Sequence, residues 1–384
     1  MSLARHILRA AFFFAGVCGT LLLCELTLRF LPVSGGAYTA DPDASWPVSR
    51  LVPHSSYTFS DGWSLRNEHH GYINNFGYAA PFDYVPGSSG VVIIGDSFVE
   101  SLMNDYDDTL QGVLRRELAP QNVMAFGTIN AALPHYLGVA QLVRRYFAPQ
   151  WAVIVIIAGD YVDGFAKEPG FYHWAPDHTP PIELVKEVNR SASQKVLRTV
   201  AVARYIRGNL SFRWSHAVKL HRETDVKAPV CVAASLSEQD RRLLGEYVSA
   251  LPAALGLPAS HVILVFDSDR KAIYAGLSRE AAEACPTRDV LARARLMSLA
   301  RTAGLQVIDS DPIFRRYYAA TGRGVDYLPF DLHWNATGHR LIAEEVARRI
   351  NGTGQVLAKG QQQAATGLSG VGRAPSQRPT VPRN

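Results

Sequence analysis

Val91-Val92-Ile93-Ile94-Gly95-Asp96-Ser97-Phe98 is the stretch that decides the fold of this 384-residue chain. Four branched apolar residues in succession suit a strand buried on both faces, as in a parallel sheet. The Gly-Asp-Ser that follows reads as a tight turn with a serine at its tip. The alternation of strand and helix then continues downstream. Strands are expected at 91–94, 123–126, 152–157, 262–266 and 306–308, and helices at 109–118, 137–146, 238–251, 289–303 and 338–350. Five strands with intervening helices imply an α/β fold, a parallel sheet covered on both faces.

Asp331-Leu332-His333-Trp334-Asn335 lies far downstream, just before the last expected helix. Ser, His and Asp are the parts of a nucleophile, its base and the group that orients the base. Asp331 and His333 are two apart, so one extended turn holds the carboxylate beside Nδ1 and leaves Nε2 to face Ser97. A serine after a strand also serves as a helix cap; the Asp-x-His element tips the reading toward catalysis. Phe98-Val99 follows the serine, so this is not the Gly-x-Ser-x-Gly elbow of α/β-hydrolases.

The two blocks resemble those of SGNH/GDSL-type hydrolases, and the resemblance spans residues 90–350. It implies a flavodoxin-like three-layer α/β/α sandwich with a five-stranded parallel sheet. It also implies Ser97 as nucleophile, His333 as base and Asp331 as the orienting carboxylate. An oxyanion hole is expected from the backbone N–H of Ser97 and from Gly127, in Ala125-Phe126-Gly127-Thr128. The family's third donor is an asparagine in a Gly-x-Asn-Asp element. Here Ala158-Gly159-Asp160 places Gly159 at that position, a departure that removes a side-chain donor. Such a loss costs about 10²–10³ in rate. Asn130, in the neighbouring loop, is the candidate substitute.

The chain ends differ from the middle. Residues 10–24 carry no charge and follow Arg5, His6 and Arg9, the layout of a signal or anchor segment. Apolar character continues through Leu26, Leu28, Phe30 and Leu31, and no Ala-x-Ala site follows. An uncleaved signal-anchor over 1–35 is the preferred reading, a cleaved signal peptide the other. The positive N-terminal side puts that end in the cytoplasm and the rest on the periplasmic side of the inner membrane. Residues 36–89 read as an extended lead-in with hairpins around Tyr57-Thr58-Phe59 and Gly71-Tyr72-Ile73. Residues 165–230 break the alternation and read as an insertion beside the strand ends. Residues 351–384 are rich in Gly, Gln, Ser and Pro and are expected to be disordered. The net charge of +5 becomes −1 once Arg5, Arg9, Lys359, Arg373, Arg378 and Arg383 are set aside. A near-neutral folded part argues against a nucleic-acid surface.

No catalytic metal and no cofactor are expected, since His69, His70, His135, His173 and His178 make no ligand spacing. His339 is expected to pack or cap within the last helix. Asp267/Asp269 and Asp309/Asp311 end strands and are expected to cap turns and helices. Cys231 and Cys285 lie where a disulfide is permitted; a bridge and two separate thiols both remain open. The functional expectation is an extracytoplasmic serine esterase acting on an acyl ester, preferably an O-acetylated glycan. A polysaccharide O-acetyltransferase using the same triad is the alternative, and a catalytically silent envelope-assembly protein a third.

Overall fold

The computed structural model describes residues 2–41, 43–186, 197–210, 234–284 and 286–368. Helix α1 (Ser2–Arg29) is followed by the antiparallel hairpin β1 (Ser55–Asp61) and β2 (Arg66–Ile73). The central domain then runs β3 (Ser89–Gly95), α2 (Ser97–Glu100), α3 (Leu110–Glu117), β4 (Asn122–Gly127), α4 (Leu133–Tyr146), β5 (Ala148–Ile156) and α5 (Asp160–Asp163). A small hairpin, β6 (Tyr172–Trp174) and β7 (Ile182–Leu184), and helix α6 (Ala201–Arg204) belong to the stretch that breaks the alternation. The domain resumes with α7 (Glu238–Leu255), β8 (Val262–Phe266), α8 (Arg270–Tyr274), α9 (Arg279–Ala282), α10 (Arg288–Thr302), β9 (Gln306–Asp309) and α11 (Ser310–Thr321). The hairpin β10 (Asp326–Tyr327) and β11 (Asp331–Trp334) leads into α12 (Ala336–Leu368).

The five-stranded sheet has the order β4-β3-β5-β8-β9, and every pair in it is parallel. With its strands counted in chain order this is 2-1-3-4-5, the flavodoxin-like order. Both faces are covered, because successive side chains of β3 point to opposite sides. Val92 and Ile94 join the core packed by α4, α7 and α10. Val91 and Ile93 join the core packed by α3, α11 and α12. All four are fully buried, each contributing about 1.5–3 kcal/mol relative to exposure. Ser97 therefore leaves the sheet at its carboxyl edge, beside the β3/β5 switch point where open α/β folds bind ligands.

Three features differ from the sequence reading. The Asp331–His333 element is not a free turn but a strand of its own hairpin. Among the described residues of the lead-in one hairpin forms, and it pairs both aromatic segments: Tyr57 faces Gly71 across it. Helix α12 continues past Ile350 to Leu368. Helix α1 is the one helix among the described residues long and apolar enough to cross a membrane, over Arg5–Arg29. Cys18 and Cys24 in it are exposed and free. Cys231 and Cys285 lie outside the described residues.

Candidate active site

The turn that carries Ser97 is set by its neighbours. Asp96 caps α2, its carboxylate accepting from the Phe98 amide at 2.9 Å. Gly127 is level with Gly95 across the β3–β4 ladder, so it stands beside the Asp96-Ser97 turn. A Cβ on Gly127 would fall 2.1 Å from the Glu100 nitrogen; only glycine lets α2 pack this close.

The second half of the site comes from β11. Alternation along a strand puts Asp331 and His333 on one side and Leu332 and Trp334 on the other. Trp334 is fully buried against Phe98 and Phe314, and its indole N–H donates to Asp267 at 2.9 Å. Asn335 accepts from the Thr337 and Gly338 amides and so starts α12. These contacts fix the direction in which His333 points.

Ser97 Oγ lies 2.8 Å from His333 Nε2, and His333 Nδ1 lies 2.5 Å from Asp331 Oδ1. Asp331 also accepts the His333 backbone N–H at 2.9 Å. The carboxylate keeps the proton on Nδ1, so Nε2 presents a lone pair to the serine hydroxyl. The structure thus brings together the three residues picked from sequence, from segments 234 or more residues apart.

Electrostatics favour a charged imidazole. Burial works to lower the His333 pKa, but the Asp331 hydrogen bond and charge, with Asp96 behind them, outweigh it and hold it above the ordinary 6.5. A general base must be unprotonated, so esterase turnover is expected to rise with pH through a pKa above 6.5 and then level off. A pH profile of kcat/KM checks this; an acid limb at or below 6.5 would remove His333 from the role.

Two further carboxyls surround the serine. Burial pushes Asp96 up to about 6 and Glu100 up to about 7. Asp160 is also buried, and burial with the Asp96 charge holds it well above the usual carboxylate range. It accepts from the Ile157 amide at 2.9 Å and from the Tyr136 hydroxyl at 3.0 Å, which closes the loop after β5. Gly159 takes φ +102°, a backbone setting that side chains rarely adopt, as it enters α5. The loop conformation itself therefore accounts for glycine where the resemblance expects asparagine. Asn130 also has positive φ, +65°, and is exposed. No hydrogen bond of its side chain ties it to Ser97.

A buried network missed by sequence reasoning holds β11 in place. Arg270 pairs with Asp267, donates from Nε to Asp326 at 2.7 Å and from Nη2 to the Leu332 carbonyl at 2.5 Å. Its guanidinium lies 5.4 Å from the Phe98 ring centre, and the Phe98 ring packs tilted against His333, centroids 4.8 Å apart. Arg270 thus touches both halves of the site. Arg270→Met leaves Asp267 and Asp326 buried without their cation, and a loss of about 3–5 kcal/mol in denaturant unfolding is expected. A loss below 1 kcal/mol would contradict it.

The other sequence-marked residues are structural. His339 is fully buried, accepting from the Leu110 amide at Nδ1 and donating from Nε2 to Ser101 at 3.0 Å; burial drives its pKa down to about 3. Asp269 and Asp309 cap α8 and α11. Among the described residues no group of three or more His, Cys, Asp or Glu is placed to hold a metal. A cavity of about 300 Å³ opens beside the site, walled by Phe98, Ile157, Arg270, Leu328 and Leu332.

Sheet order and site geometry together define an SGNH-type arrangement, and sequence comparison agrees. Residues 224–376 match the family model described as SGNH hydrolase-like domain, acetyltransferase AlgX. The match covers less than half of the chain; it includes Asp331 and His333 and leaves Ser97 outside. No curated protein matches the chain in sequence. Among solved structures, LAE5, an α/β hydrolase enzyme from the metagenome of Lake Arreo, Spain, is 14% identical. It aligns over 69% of this chain and 96% of its own, with TM-score 0.38. A two-domain esterase (CEX) active on acetylated mannans is 13% identical over 69% of this chain and 50% of its own, TM-score 0.35. A member of the lipolytic G-D-S-L family from Veillonella parvula DSM 2008 is 12% identical over 67% of this chain and 94% of its own, TM-score 0.31.

Proposed function

We propose that this chain is a membrane-tethered serine esterase that removes acyl groups, preferably O-acetyl groups of a glycan, outside the cytoplasm. The observation that carries the reading is the continuous Ser97–His333–Asp331 hydrogen-bond chain. Ser97 Oγ attacks the ester carbonyl while His333 Nε2 takes its proton. The tetrahedral oxyanion is held by the Ser97 N–H; the Gly127 N–H, expected from the sequence as a second donor, belongs to the peptide whose Phe126 carbonyl faces β3, so it points off the sheet edge, away from Ser97. His333 then gives the proton to the leaving alkoxide, and the acyl-serine remains. Water activated by the same imidazole releases the acid and restores Ser97. Asp331 stays ionised throughout and stabilises the imidazolium. With Gly159 in place of an asparagine, the oxyanion has one side-chain donor fewer, and a modest rate on simple esters is expected.

The second reading replaces water by a glycan hydroxyl, which makes the protein an O-acetyltransferase. The family match over residues 224–376 favours it. Incubation of the full chain with p-nitrophenyl acetate, with and without a polysaccharide acceptor, separates the two. Free acetate alone supports the esterase; acetylated glycan supports the transferase. Neither product would overturn both.

A further inference from the structure

The strongest feature left unused by the chemistry is the surface around the exit of α1. Glu25, in its last turns, accepts from the Ala201 and Val202 amides at 3.0 and 2.9 Å. The apolar helix is thereby fastened to α6. Just beyond it, Ser60 donates to the Pro32 carbonyl at 2.5 Å, and Asn209 donates to Ser60 and accepts from the Ser34 amide. Tyr205 donates to the Trp63 carbonyl at 2.7 Å. The α1 exit, the tip of the β1–β2 hairpin and residues 197–210 therefore form one bonded cluster.

This cluster is apolar where it meets solvent. Phe30 is 88% exposed, Trp63 63%, Ile206 53%, Leu197 52% and Leu31 45%. Trp63 is set at the hairpin tip, and Arg29 and Arg207 stand exposed among these residues. Exposed tryptophan and long aliphatic side chains among arginines are the composition of a membrane interface, where amphipathic rings sit at headgroup level and guanidiniums meet lipid phosphates. A patch of this kind on a soluble surface marks an interaction site.

We infer that the hairpin tip and residues 197–210 form a second membrane contact, a shallow platform that lies on the bilayer around the base of α1. The occupant is lipid rather than a protein because the patch is continuous with the helix that fits a bilayer. The inference rests on reading α1 as a retained membrane span. It has a consequence for the site: Arg66, just past the hairpin tip, lies over the Phe330 ring at 4.2 Å, and Phe330 adjoins Asp331. The platform thus holds the catalytic edge close to the lipid surface.

The test uses the full chain reconstituted into phosphatidylcholine/phosphatidylglycerol vesicles whose acyl chains are brominated. Of the six tryptophans, Trp46, Trp151, Trp174 and Trp334 are buried in the domain and Trp63 is exposed; Trp214 lies outside the described residues and is changed to Phe in every protein compared. Bromolipid is expected to quench part of the tryptophan emission, and Trp63→Phe is expected to lose most of that quenching while still floating with vesicles. Equal quenching of the variant and the wild type, with both floating, would overturn the platform and leave the anchor standing. Failure of the wild-type chain to float would overturn the anchor reading and the inference with it.

Discussion

Ser97→Ala is expected to lower kcat on p-nitrophenyl acetate by about 10⁴-fold or more, to the level left by binding and the backbone donor. The loss follows from chemistry rather than packing. Alanine removes only Oγ, whose near partner is His333 Nε2 at 2.8 Å and whose contact with Asp96 Oδ2 is long, at 3.5 Å. The Asp96 cap and the α2 amides that shape the turn do not use the serine side chain. Thermal unfolding of the variant is therefore expected to match the wild type while turnover is lost. Circular dichroism melting beside the rate assay checks both halves. A variant that melts with the wild type and still turns over at its rate would remove Ser97 from the mechanism.

The second large effect is expected from Asp331→Asn, about 10⁴-fold in kcat. An amide is nearly the same shape, so the strand stays in place and KM changes little. What changes is the proton. Asp331 accepts both the ring Nδ1–H and the backbone N–H of His333. A neutral amide no longer fixes the tautomer or stabilises the imidazolium. The acid limb of the residual pH profile is also expected to move to lower pH, because the hydrogen bond and charge that raise the His333 pKa are gone. A merely structural Asp331 would leave that limb unmoved. Measuring kcat, KM and the limb together separates the two roles.

Much of this site was legible in the chain itself. Val91–Ile94 is too apolar for a one-sided strand, and its burial on both faces follows from that. Ser97, Asp331 and His333 could be picked because each sits in a short local pattern. The register of Asp331 with His333 depends only on strand periodicity. What was not legible depends on distance. The Asp267–Arg270–Asp326 network spans the ends of two unrelated segments, and its sequence trace is only an aspartate at a strand end with an arginine after it. The seat of Asp331–His333 in a hairpin was hidden because β10 is two residues long. Glycine at position 159 reads from sequence as a lost donor. In the fold it also answers a backbone need, φ +102°. The Glu25 contact with α6 could not be read either, since a carboxylate near the end of an apolar helix looks like a simple boundary mark.

The central claim is that Ser97 is a nucleophile activated by His333. The most direct test is reaction of the full chain with a fluorophosphonate, followed by mass mapping of the adduct. One phosphonyl group on the peptide bearing Ser97, absent in Ser97→Ala and strongly slowed in His333→Ala, is the predicted result. An unmodified Ser97, or an adduct on another serine at the same rate in all three proteins, would contradict it.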